Sequence, residues 1–94
     1  MVKVEARADG AVWRCRVAVD DGGGRTQHSV TVSRADLGRW GRGARRQDVE
    51  DLVARSFEFL LEREPAASIL ETFDLSVIPR YFPEYDRLFS PGAG

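Results

Sequence analysis

Ninety-four residues, 43 % apolar and 31 % charged with a net charge of -1, have the composition of one globular domain rather than of a disordered chain. A single cysteine, Cys15, rules out an intramolecular disulfide and a Cys-rich zinc site. No run of eighteen apolar residues and no signal-peptide core occurs in the sequence, so a cytoplasmic protein without membrane contact is expected.

In chain order, Val2 to Ala6 alternate with Lys3, Glu5 and Arg7, and after Asp9-Gly10 the alternation resumes with Trp13, Cys15, Val17 and Val19 on one side. Period two on both sides of a turn dipeptide that tolerates positive φ predicts an antiparallel hairpin. Cys15 is then a small buried strand residue, although Arg14 and Arg16 would activate a thiol that faced water. Gly22 to Gly24 form a flexible turn. A third strand follows, with Thr26, His28, Val30 and Val32 on one side and Gln27, Ser29 and Thr31 on the other. Ser33 caps a short helical turn, with Asp36 in its first turn. Gly38, Gly41 and Gly43 each cost a helix about 1 kcal/mol relative to Ala, which predicts that residues 38–46 are a loop carrying Trp40.

Asp48 is expected to cap the next helix, with Glu50 and Asp51 in its first turn. Val49, Leu52, Val53, Ser56, Phe57 and Leu60 form one apolar stripe, suited to packing on the sheet. Phe59 and Leu61 fall off that stripe and require a second surface. Pro65 is suited to the start of another helix, with Ile69, Leu70 and Phe73 as its apolar face. Ser76 starts a further helical turn, with Pro79 inside it and Pro83 ending it. Ile78, Tyr81 and Phe82 are expected to form a lid over Phe59 and Leu61. The predicted fold is α+β: a three-stranded antiparallel meander, a long helix packed on it, and a short C-terminal helical lid. Residues 1–89 form a single domain and residues 90–94 a frayed tail.

The stretches VEDLVARSFEFLLEREPAASIL and FDLSVIPRYFPEY resemble a group of small bacterial proteins without an assigned activity, over about residues 28–86. That resemblance implies no cofactor and no catalytic residue. Three strands followed by a helix are also similar, as a fold analogy alone, to small antitoxin domains of the HicB type, although the characteristic sequence around their sheet is not seen.

Catalytic constellations are not evident. His28 is the only histidine, and its strand neighbour Ser29 points to the opposite face, a poor nucleophile pair. Glu58 and Glu62 lie four apart without further ligands to complete a metal site. Gly22 to Gly24 lack the signature of a phosphate loop. No enzyme activity, metal or cofactor is therefore expected.

Charge distribution is more informative. Residues 1–33 carry +1, residues 34–46 carry +4 and residues 47–94 carry -6. Arg39, Trp40, Arg42, Arg45 and Arg46 in the basic island are the candidate partner-binding residues. Arginine beside tryptophan is the composition of a protein-interface hot spot, the same residues suit phosphate clamping with base stacking, and the arginines can equally pair with acids of this chain. The overall acidity, pI 5.8, and the lack of a recognition signature weigh against nucleic acid. A non-enzymatic protein-interaction or regulatory module, binding a partner or its own copy through Trp40 and the surrounding arginines or through an exposed sheet edge, is the favoured expectation; an antitoxin-like nucleic-acid-binding regulator using Arg34 to Arg46 is the alternative.

Overall fold

The computed structural model describes residues 1–90. Strands β1 (Val2–Asp9), β2 (Val12–Asp20) and β3 (Arg25–Ser33) form the expected antiparallel meander. Gly10, at φ +62°, makes the first turn. A fourth strand, β4 (Thr72–Asp74), joins the free side of β3 in parallel, giving the sheet order β1-β2-β3-β4. The sheet is therefore mixed and four-stranded rather than a three-stranded meander. The helices are α1 (Arg34–Trp40), α2 (Arg46–Leu61), α3 (Ile78–Tyr81) and α4 (Glu84–Phe89).

Alternation along the strands divides the sheet into two unlike faces. Trp13, Cys15, Val17, Val19, His28, Val30 and Val32 are buried on one face. Every residue of the predicted α2 stripe is buried as well, so α2 and the sheet close on a common core. Phe57 sits at its centre, with ring centroids 5.2 Å from His28 and 6.0 Å from Phe73. Near the other end of α2, the Glu50 carboxylate accepts the Ala6 N–H at 2.9 Å, occupying one backbone donor of strand β1, which borders the sheet.

Three local expectations are corrected. Ser33 does cap α1, accepting the Asp36 N–H at 3.0 Å, but the helix runs on through Gly38 to Trp40, because burying Leu37 and Trp40 outweighs the propensity cost of one glycine. Helix α2 begins at Arg46, and Asp48 lies inside its first turn, where its carboxylate accepts the Arg45 N–H at 3.0 Å. The apolar residues after Pro65 do not build a helix: Ala66–Ser68 is a single 3-10 turn and Phe73 lies in β4. Pairing to β3, including Ser29 N–H to Glu71 C=O at 2.7 Å, satisfies backbone groups that a bordering strand would leave exposed. Of the expected tail, residues 91–94 lie outside the described residues.

The C-terminal helices cover Phe59 as expected, through partly different residues. Phe82, Tyr85 and Phe89 meet the Phe59 ring edge-on at 5.4–5.9 Å, and Tyr85 stacks on Phe89 at 4.2 Å. Tyr81 points away and is exposed. Helix α4 is anchored inside the core by Tyr85, whose hydroxyl lies 2.7 Å from Ser56 Oγ. Because Ser56 donates to the Leu52 carbonyl, the tyrosine is the donor in that pair. Burial pushes the Tyr85 phenol well above its ordinary value.

Candidate functional site

The basic island is split by the fold. Trp40 is a core residue, 1 % exposed; its Nε1 donates to Asp86 Oδ1 at 2.8 Å and its ring meets Tyr85 edge-on at 5.1 Å. It is therefore not an exposed platform for a base or an anchor for a partner, and the loop that was expected to display it is confined to residues 41–45. The glycines of that loop serve close packing: a Cβ on Gly41 would lie 2.8 Å from the Leu37 carbonyl oxygen, and one on Gly43 would collide with the Asp48 carboxylate. Arg39 reaches Asp86 at 4.0 Å. Arg42, Arg45 and Arg46 stay exposed, with no ion pair among the described residues.

The residues that suggested chemistry are engaged in structure. His28 is buried with Nδ1 2.7 Å from the Leu70 carbonyl and Nε2 2.9 Å from Thr26 Oγ1. A carbonyl only accepts, so Nδ1 carries a proton and a neutral ring takes the threonine hydroxyl at Nε2. The ring thereby ties β3 to the segment leading into β4. Cys15 is buried, and desolvation, assisted by the nearby Glu50 charge, pushes its thiol up to about 12, the opposite of activation. Among the described residues, no three His, Cys, Asp or Glu side chains are grouped as a metal site would require.

A concave surface forms elsewhere. Between the end of α2, the segment entering β4 and α3 lies a groove of about 470 Å³, lined by Leu60, Ile69, Phe73, Val77, Ile78 and Phe82, with Glu64 and Ser68 on its walls. Its shape follows from local sequence. Asp74 ends β4 by accepting the Ser76 N–H at 3.0 Å, which turns the chain into a 3-10 turn, Leu75–Val77, and then α3. Pro79 is accommodated in the first turn of α3, and Pro83 separates α3 from α4. Arg63 fixes the neighbouring wall: it donates to the Phe59 carbonyl at 2.9 Å and to Glu84 at 3.3 Å, and stacks 3.6 Å above the Phe59 ring.

Four large apolar side chains are exposed among the described residues, and two of them, Leu70 at 50 % and Tyr81 at 69 %, border this groove. An apolar floor that continues into exposed apolar rims is the usual signature of a contact surface. By spacing alone Leu70 falls on a helix face and Tyr81 in a lid, positions that do not mark either residue as the rim of a groove. The available signal was two large apolar residues left over once Phe73 is paired in a strand and Phe82 is placed on Phe59.

Comparison of the chain with protein-family models, with curated proteins and with solved structures finds no match. No described helix is long and apolar enough to cross a membrane.

Proposed function

We propose that the protein is a non-enzymatic interaction module that takes an amphipathic, basic segment of a partner protein into the groove bordered by Leu70 and Tyr81. The single observation that supports this reading is the continuity of an apolar floor with two exposed apolar rims. Charge complementarity favours a basic occupant: Glu64 lines the groove, Glu71 follows Leu70, and residues 47–94 carry -6. The chain's own basic island does not suit the groove, because its large apolar residues, Leu37 and Trp40, are buried. An incoming segment therefore has to bring its own apolar anchors, as helices docked in grooves do.

The test is a titration with a labelled synthetic peptide of leucine and lysine at helical spacing, compared with its leucine and glutamate counterpart. Tighter binding of the lysine peptide, with amide shifts confined to the groove and at least about tenfold weakening in the Leu70→Ser, Tyr81→Ser variant, about 1.4 kcal/mol, is the expected result. Equal binding of both peptides by wild type and variant refutes the groove as the docking surface.

A second reading, nucleic-acid binding through the island, is favoured by one specific feature. Arg45 and Arg46 stand at the N-terminus of α2, where the helix dipole disfavours cations, and a phosphate placed there would offset that cost. With Trp40 buried, base stacking by that residue is no part of this reading. Binding of this kind weakens with salt by a log-log slope of roughly -0.9 per neutralised phosphate on duplex DNA; a salt-insensitive interaction contradicts it.

A further inference from the structure

We infer that the open face of the sheet, opposite α2, is an oxyanion site for a single phosphate group. Two adjacent rungs define it. One carries Glu5, Arg16, Ser29 and Thr72 side by side across the four strands; the next carries Arg7, Arg14, Thr31 and Asp74. All of these except Asp74 line one depression of about 430 Å³, and Asp74 is already engaged as the cap of the following turn through Ser76.

The second rung places Arg7 directly opposite Arg14, a like-charge cross-strand pair that an empty sheet disfavours. Asp9 binds the Arg14 Nε, which leaves Arg7 and Arg16 without an ion pair among the described residues, even though Glu5 is the cross-strand neighbour of Arg16. Guanidinium groups supply forked donors matched to phosphate oxygens, and the hydroxyls of Ser29, Thr31 and Thr72 add uncharged donors on the same floor. Among the described residues no aromatic side chain lines the depression, so it offers no stacking platform for a base. Two rungs span roughly 7 Å along the strands, and the acids Glu5 and Asp9 flank the guanidiniums. That geometry accepts one compact phosphate and repels an extended polyanion. The site is independent of the groove.

The experiment uses the full chain in chloride buffer, with inorganic phosphate or O-phosphoserine added at matched ionic strength, while thermal unfolding and backbone and arginine Nε–H resonances are followed. The expected result is a saturable rise in Tm with shifts at Arg7, Arg16, Ser29 and Thr31. Arg16→Gln should abolish the response. Arg7→Gln should abolish it while raising the phosphate-free Tm, because the like-charge rung is relieved. Arg87→Gln, on exposed α4 surface, should keep it. Tighter binding of O-phosphoserine identifies a phosphoryl group on a larger ligand, and tighter binding of inorganic phosphate the free ion; both support the site. A response unchanged in Arg7→Gln and Arg16→Gln, no response beyond that of chloride, or a response to duplex DNA alone overturns it.

Discussion

On the helix side of the sheet, Leu60, Phe73 and Phe82 floor a groove whose one charged lining residue, among the described residues, is Glu64; on the open side, the rungs carry Arg7, Arg14 and Arg16 among Glu5 and three hydroxyls. The two surfaces meet at β4, because alternate residues of a strand face opposite ways. Thr72 contributes to one site and Phe73 to the other. On the proposed reading, a 94-residue chain presents two surfaces of opposite preference, one for apolar and basic segments and one for a compact anion, provided that the layer between them stays rigid. That layer is the Phe57-centred core.

The comparison breaks most completely if that layer is removed. Phe57→Ala should destabilise the fold by about 3–5 kcal/mol, seen in urea unfolding, and should weaken both ligands together. Raising the pH attacks the same layer. The folded-state pKa of Cys15 is raised from the ordinary 9.0 to about 12, so the fold retains this proton more tightly than the unfolded chain does. Its contribution is fully present below pH 9 and is lost as pH climbs toward 12, at up to about 1.4 kcal/mol per pH unit. Buried Tyr85 adds a loss of the same sign above its ordinary value of 10.0. Cys15→Ala should remove the earlier part of that alkaline limb in unfolding curves taken between pH 8 and 11, whatever its effect at neutral pH.

Smaller changes sharpen the distinction between the sides. Ser56→Ala leaves the buried Tyr85 hydroxyl without its partner and should cost about 1–3 kcal/mol, with the loss largely relieved by adding Tyr85→Phe; a double-mutant cycle measures it. Because Tyr85 of α4 and Phe82 of the groove pack on the same Phe59 ring, the variant should disturb the groove through Phe82 and leave the response of the open face to phosphate intact. Leu70→Ser with Tyr81→Ser should change stability by no more than about 0.5 kcal/mol while weakening the lysine peptide. Arg7→Gln should raise stability in chloride by roughly 0.2–1 kcal/mol, the reverse of what loss of a structural arginine would give.

The first three strands and α2 were legible because their apolar periods of two and 3.6 are each sustained over eight or more residues. Strand β4 was not. It has three residues, too few to establish a period, and Ile69, Leu70 and Phe73 happen to fall at helical spacing. Its position was decided by the open side of β3, a tertiary requirement. Trp40 misled for a related reason: glycines and arginines around it suggested a loop, whereas contact with Tyr85 and Asp86, 45 and 46 residues further on, buries it. Of the five residues proposed for partner contact, Arg39 reaches Asp86 and Arg42, Arg45 and Arg46 are exposed, so only the tryptophan changes character. The groove depends on β4 and on the break at Pro83, and was therefore invisible until both were placed.

The most direct measurement is a two-ligand titration of the isotope-labelled protein, adding the leucine and lysine peptide to saturation and then inorganic phosphate. Two separate sets of shifts are predicted, one at Leu60, Leu70, Val77 and Tyr81 and one at Arg7, Arg16, Ser29 and Thr31, with neither ligand displacing the other. Competition between the two, or peptide shifts on the open face of the sheet, would contradict the account.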